Sequence, residues 1–209
     1  MQRVTLALVF AGLLACSRAA EPGTGEPVPV KKVGADPAPD KAPEKAAAKE
    51  GDELIGKPAP GWDLATWFNS KPLALEDLRG KVVLVRWFMS PECPFCSATA
   101  PSLNVLDDRY RERGLVVLGF YHHKRPEPLE ADAVKGYLEH FKFRFPVAVD
   151  PDWKTLKQWW LDKERQWTSV SFLLDKKGVI RFIHPGGTYA PGSADLGEIE
   201  KKIEALLAE

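Results

Sequence analysis

Lys81-Val82-Val83-Leu84-Val85-Arg86-Trp87-Phe88-Met89-Ser90-Pro91-Glu92-Cys93-Pro94-Phe95-Cys96 joins an apolar run to a pair of cysteines. From Val82 to Met89 only Arg86 is polar, and a short apolar run with polar flanks predicts a buried central strand. Cysteines that follow such a strand at this spacing predict the opening of a helix, where both sulfurs can meet across the first turn. A helix start offers unpaired amides and the positive end of the dipole, which favour a thiolate on Cys93 over a thiol. Cys96 lies deeper and can attack a mixed disulfide formed on Cys93. Pro94 fits the first helical turn, where a missing amide costs little. A purely structural disulfide and half of a zinc site are the plainer readings of the same pair. Zinc needs two further ligands, and the chain has no second CxxC. Arg86 reads as a side chain reaching an edge or a salt bridge, with partnership to the Cys93 thiolate as the alternative.

Outward from this stretch, strands and helices alternate. Helical spacing runs from Cys93 to Arg113 and Gly114, and Leu115–Tyr121 is a second apolar strand. Glu130–Phe141 predicts a helix, Phe145–Val149 a short strand and Asp152–Trp160 a short helix. Val170–Leu174 and Val179–Ile183 flank Asp175-Lys176-Lys177-Gly178, a strong hairpin turn. Leu196, Ile199, Ile203, Leu206 and Leu207 mark one face of a closing helix. Upstream, Trp62, Leu64 and Trp67 suggest an early strand or extended segment. The pattern predicts an α/β fold, a central mixed β-sheet covered by helices on both faces.

The chain has 209 residues, a formal net charge of zero and three cysteines. One domain of ordinary size fits that length with residues to spare. The neutral balance argues against a nucleic-acid binder, which usually shows a basic face. No Walker motif, dinucleotide fingerprint or HExxH motif is present, so no organic cofactor is implied. Residues 1–15 read as a targeting segment: Arg3 precedes the apolar run Val4–Leu14, too short to span a membrane comfortably. The run ends in Leu13-Leu14-Ala15-Cys16, which resembles the lipobox of bacterial lipoproteins. That resemblance implies cleavage before Cys16 and a lipid on its sulfur, anchoring the protein to a bilayer outside the cytoplasm. Ser17 follows where an aspartate would favour inner-membrane retention, which tilts the expectation toward a periplasm-facing outer membrane. Residues 16–51 form a tether, with six prolines and eight alanines between Ser17 and Glu50 and no aromatic residue. Such a composition cannot bury enough apolar area to offset the ordering of its backbone. The folded domain is expected over 52–209.

Most of 54–207 resembles the thioredoxin superfamily, closest to its TlpA-like and redoxin-like extracytoplasmic thiol–disulfide oxidoreductases. The match rests on Lys81–Phe88, on Cys93-Pro94-Phe95-Cys96 and on Pro101, which falls where the family places a helix-kinking proline. Phe145–Asp150 and Ser169–Asp175 with Lys177, Gly178 and Ile180 extend it. The resemblance implies a thioredoxin-like fold with Cys93 as nucleophile and Cys96 as resolving thiol. It also implies an extracytoplasmic protein or small thiol as substrate, and a membrane electron donor. Two departures stand out. Glu92 replaces the usual tryptophan before the first cysteine, and its charge should oppose thiolate formation. Ser169, preceded by Thr168, occupies the usual cis-proline position, and a cis bond there would cost about 2.5–4 kcal/mol.

A second reading treats Cys93, Cys96 and His184 as soft ligands for monovalent copper, if the turn after Ile183 folds over the active helix. It resembles copper-delivery proteins with two cysteines and a distal histidine, although those space their cysteines more widely. His122-His123 reads as a solvent-facing pair on a loop near a sheet edge. Trp153, Trp159, Trp160 and Trp167 read first as core or domain surface, and second as a groove for a substrate protein.

Overall fold

The computed structural model describes residues 49–161, 165 and 167–209. The expected targeting segment, Cys16 and nearly all of the expected tether lie outside them. The apolar run forms strand β2 (Val82–Phe88), and all seven residues are buried. Burial on both faces explains why the run does not alternate in polarity. Val82, Leu84 and Phe88 enter one core, and Val83, Val85 and Trp87 enter the other.

Around β2 stand β1 (Trp67–Phe68), β3 (Leu115–His122), β4 (Val147–Asp150), β5 (Ser171–Leu174) and β6 (Ile180–His184). They form one six-stranded sheet in the order β1-β4-β3-β2-β5-β6. Strands β2, β3 and β4 are parallel, whereas β1, β5 and β6 pair antiparallel with their neighbours. Helices α1 (Pro94–Tyr110) and α2 (Ala131–Phe141) cross over in the same direction along the sheet, and right-handed crossovers put both on one face. Helix α4 (Ala194–Ala208) joins them there through Leu196, Ile199, Ile203 and Leu206. The connection carrying α3 (Lys154–Trp159) runs back across the sheet, so α3 covers the opposite face with Leu156 and Trp159. The mixed sheet between helical layers is the thioredoxin-like architecture expected above.

Local chemistry fixes the element ends. The Asp150 carboxylate accepts from the Thr155 and Leu156 amides at 3.1 and 2.9 Å, satisfying donors that α3 leaves open. In the hairpin turn, Asp175 accepts from the Lys177 and Val179 amides at 2.9 and 3.0 Å, and Gly178 takes φ 72°. Ser193 caps α4 by accepting from the Leu196 amide at 3.2 Å. The early extended segment pairs with the sheet only at Trp67–Phe68. Trp62 and Trp67 instead satisfy their indole N–H groups on the Leu73 and Leu64 carbonyls and pack edge-on against Phe120. No helix among the described residues is long and apolar enough to cross a membrane.

Candidate active site

Strand β2 stops at Phe88, and Met89–Glu92 turn the chain into α1. The Cys93 amide donates to the Ser90 carbonyl at 3.1 Å, closing that turn. Cys93 takes the N-cap position in an extended conformation, and its carbonyl accepts from the Cys96 and Ser97 amides at 3.1 Å. Pro94 opens the helix where its lack of an amide is harmless, and Pro101 is carried inside it. Cys93 is half-buried, Cys96 is 3% exposed, and both are free thiols.

The two sulfurs are not equivalent. Cys93 is lowered from 9.0 to about 6, first by the hydrogen bond from the Cys96 thiol. The amides of Cys96 and Phe95 and the charge of Arg86 act in the same direction, while burial opposes them. Cys96 is pushed far up by that same hydrogen bond and by burial. The Met89 amide, 3.3 Å from its sulfur, works against the rise. The arrangement is a ready thiolate beside a covered thiol. Glu92 does not restrain it as expected. Its carboxylate faces outward in an ion pair with Arg125 at 3.1 Å and is itself lowered, chiefly by the Ser90 hydroxyl. No acid is among the groups that shift Cys93.

Cys93 opens into a groove of about 340 Å³, lined among others by Phe95, Lys124, Trp167, Thr168 and Ser169. Thr168 and Ser169 thus reach Cys93 from the loop before β5. No cis peptide bond occurs among the described residues, so the Thr168–Ser169 bond is trans. Phe95 and Trp167 are exposed large apolar side chains in edge-to-face contact, with ring centroids 5.6 Å apart. Trp159 and Trp160 are core residues, whereas Trp167 borders the groove. Lys124 carried no sequence signal, because only the β3–α2 connection brings it there.

Three polar residues sit elsewhere than expected. Arg86 is fully buried in a strand flanked on both sides, so it reaches neither an edge nor an acid. It donates to the Ser169 and Gly187 carbonyls at 2.5 and 3.0 Å. His122 ends β3 with 1% exposure, its ring 5.1 Å from that of Trp153. Burial lowers it to about 3, so it is neutral and not a solvent-facing partner of His123. His184 lies beside Asp195 at 3.5 Å and against the Tyr189 ring, away from the cysteines. Among the described residues no group of three His, Cys, Asp or Glu side chains could hold a metal ion, so the copper ligand set is not assembled.

Similarity to known proteins agrees with this geometry. The thiol-disulfide oxidoreductase ResA of Bacillus cereus is 30% identical over 137 residues, spanning 64% of this chain and 70% of the relative. The crystal structure of a thiol-disulfide isomerase from Corynebacterium glutamicum matches with a TM-score of 0.57 and 27% identity. That match covers 72% of this chain and 97% of the isomerase. A thioredoxin-like superfamily protein matches with a TM-score of 0.59 and 28% identity, over 73% of this chain and 97% of its own. The profile of the AhpC/TSA family matches residues 55–183, a span holding β2, both cysteines, Ser169 and nearly all of the sheet. The chain belongs to the AhpC/TSA family, within the thioredoxin-like fold.

Proposed function

We propose that this oxidoreductase exchanges dithiols for disulfides on an extracytoplasmic protein or small thiol substrate, with Cys93 attacking and Cys96 resolving. The observation that carries the reading is the asymmetry of the pair: a half-buried Cys93 lowered to about 6 beside a covered Cys96 pushed up. At neutral pH Cys93 is then mostly thiolate, the form that attacks sulfur. In the reducing direction, the Cys93 thiolate attacks one sulfur of a substrate disulfide and forms a mixed disulfide. The other substrate sulfur leaves as a thiolate. Cys96 loses its proton and attacks the Cys93 sulfur, releasing the second substrate thiolate and closing the Cys93–Cys96 disulfide. Two electrons pass from the protein to the substrate, and a dithiol donor at the membrane restores the starting state. The exposed Phe95 and Trp167 rings offer apolar contact to the chain flanking the substrate cysteine.

The purified protein should reduce insulin disulfides in the presence of a dithiol reductant. Cys93→Ser should abolish turnover, and Cys96→Ala should accumulate mixed disulfides through Cys93. Absence of a dithiol cycle with both cysteines intact would refute the assignment. The extracytoplasmic setting in this reading is supported by the short apolar run Val4–Leu14 and by the resemblance of Leu13-Leu14-Ala15-Cys16 to a lipobox, which would put a lipid on Cys16. Fatty-acid labelling in cells should follow Cys16 and vanish in Cys16→Ser. Label persisting in that variant would remove the anchor from the reading.

A further inference from the structure

Where β5 begins and β6 ends, the row running from β2 across these strands is polar, while the next row, Val85, Phe172 and Ile183, is apolar. Arg86 of β2 lies opposite Ser171 of β5, and Ser171 lies opposite His184 of β6. Side chains two apart on a strand share a face, so Arg86 lies on the side of Leu84 and Phe88, which α1 covers. A guanidinium therefore sits under the first turns of α1, where an apolar side chain would have completed the core.

All of its partners are neutral. Besides the carbonyls of Ser169 and Gly187, it reaches the Ser171 hydroxyl at 3.3 Å and the Thr99 hydroxyl at 3.5 Å. The Tyr189 ring stacks over it at 5.2 Å, and its Nε has no partner. Among the described residues no carboxylate pairs with it. A cation removed from water normally keeps an anion beside it, because the loss of hydration is otherwise uncompensated. Thr99 follows Cys96 by three residues and so shares its face of α1. Ser169 borders the groove beside Cys93. The guanidinium stands between the two elements that hold the sulfur site, and the anion missing from its surroundings is the thiolate.

We propose that Arg86 is the buried counter-charge of the two sulfurs, stabilising the Cys93 thiolate in the dithiol and assisting loss of the Cys96 proton in the mixed disulfide. The proposal rests on the exchange reading above. Its charge lowers both cysteines, and no acid is among the groups that shift either one. Once Cys93 is bonded to substrate, the hydrogen bond and negative charge that hold the Cys96 proton disappear. The Arg86 charge and the Met89 amide remain. The Cys96 proton passes to solvent, its thiolate attacks the Cys93 sulfur, and the substrate thiolate leaves. No protein carboxylate takes part. The other charged or titratable groups around the site are Lys124 across the groove, Glu92 paired with Arg125 outside, and His184 and Tyr189 beyond Arg86. His122 projects from the opposite face of the sheet, against Trp153. Burial keeps both histidines neutral near pH 7.

The experiment compares wild type with Arg86→Lys, Arg86→Gln and Arg86→Met. Met keeps the apolar stem, and apolar replacement of a buried charge is often tolerated by the fold. Alkylation rate of Cys93 against pH and the lifetime of a mixed disulfide with a small aromatic thiol are the two readouts. Gln and Met should raise the alkylation midpoint by about half a pH unit, less than the Cys96 hydrogen bond supplies, while Lys stays close to wild type. The mixed disulfide should persist about tenfold longer in the neutral variants at pH 7. An unchanged midpoint in folded Gln or Met protein would overturn the proposal while wild-type exchange still stood. Failure of both neutral variants to fold, with Lys folded, would assign Arg86 to the fold and overturn it equally. Absence of exchange in the wild type would instead defeat the underlying function.

Discussion

The chemistry of single residues here is set by what lies behind the sulfur more than by what precedes it in sequence. Glu92 is adjacent to Cys93, yet its charge is turned outward to Arg125, while Arg86 acts from beneath the helix. Titration of thiolate absorbance in the reduced protein should therefore show one group with a midpoint near pH 6, assigned to Cys93 by its loss in Cys93→Ser. Glu92→Gln should move that midpoint by less than about half a unit, because an exposed, paired carboxylate is strongly screened. A downward shift of a full unit would restore the opposing role that adjacency suggested. At the groove, Trp167→Ala should lower kcat/KM for a protein disulfide about three- to tenfold, the range of one lost aromatic contact. The Cys93 midpoint should not change in that variant. Parallel loss toward a small disulfide would show that the ring serves the site's structure and not the substrate chain.

Elements were the most legible scale. The apolar run, interrupted only at Arg86, became a strand buried on both faces, and the turn through Asp175 and Gly178 became the hairpin of β5 and β6. Cysteine spacing after the strand put Cys93 at the start of α1. Where the reading failed, tertiary context decided. His122 was expected in a loop, but β4 extends far enough to pair Asp150 with it, and Trp153 covers its ring. Arg86 read as an edge residue because an arginine seldom sits mid-core; only the parity of β2 and the position of α1 reveal what it faces. The alternative copper reading needs His184 over the cysteines, and it instead lies beside Asp195 on α4. Asp150 shows the same dependence, since its value lies in capping α3 and not in chemistry. Asp150→Ala should destabilise the protein by about 1–3 kcal/mol, leaving two buried amides without an acceptor. Denaturant unfolding measures this, and a change below about half a kcal/mol would mean that water replaces the carboxylate.

At the scale of the whole molecule, folding and redox state are linked through protons. In the dithiol form Cys93 falls from 9.0 to about 6 on folding. Between those values the unfolded chain binds the extra proton, so the stabilisation grows with rising pH, is complete above about 9, and is lost as pH falls through 6. Cys96 has the opposite sign. Its folded value is raised, so above 9.0 the unfolded chain releases that proton first and stability declines. The buried histidines are depressed below their ordinary 6.5, so they stabilise at higher pH and weaken the fold on acidification. They do so in both redox forms and largely cancel from a comparison. The melting temperature of the reduced protein minus that of the oxidised protein should therefore climb between pH 6 and 9 and turn over above it. The disulfide form has neither thiol to titrate, so it supplies the baseline. A difference that stays flat from pH 6 to 9 would mean that the folded protein does not favour the Cys93 thiolate, and the asymmetry on which the exchange mechanism depends would be lost with it.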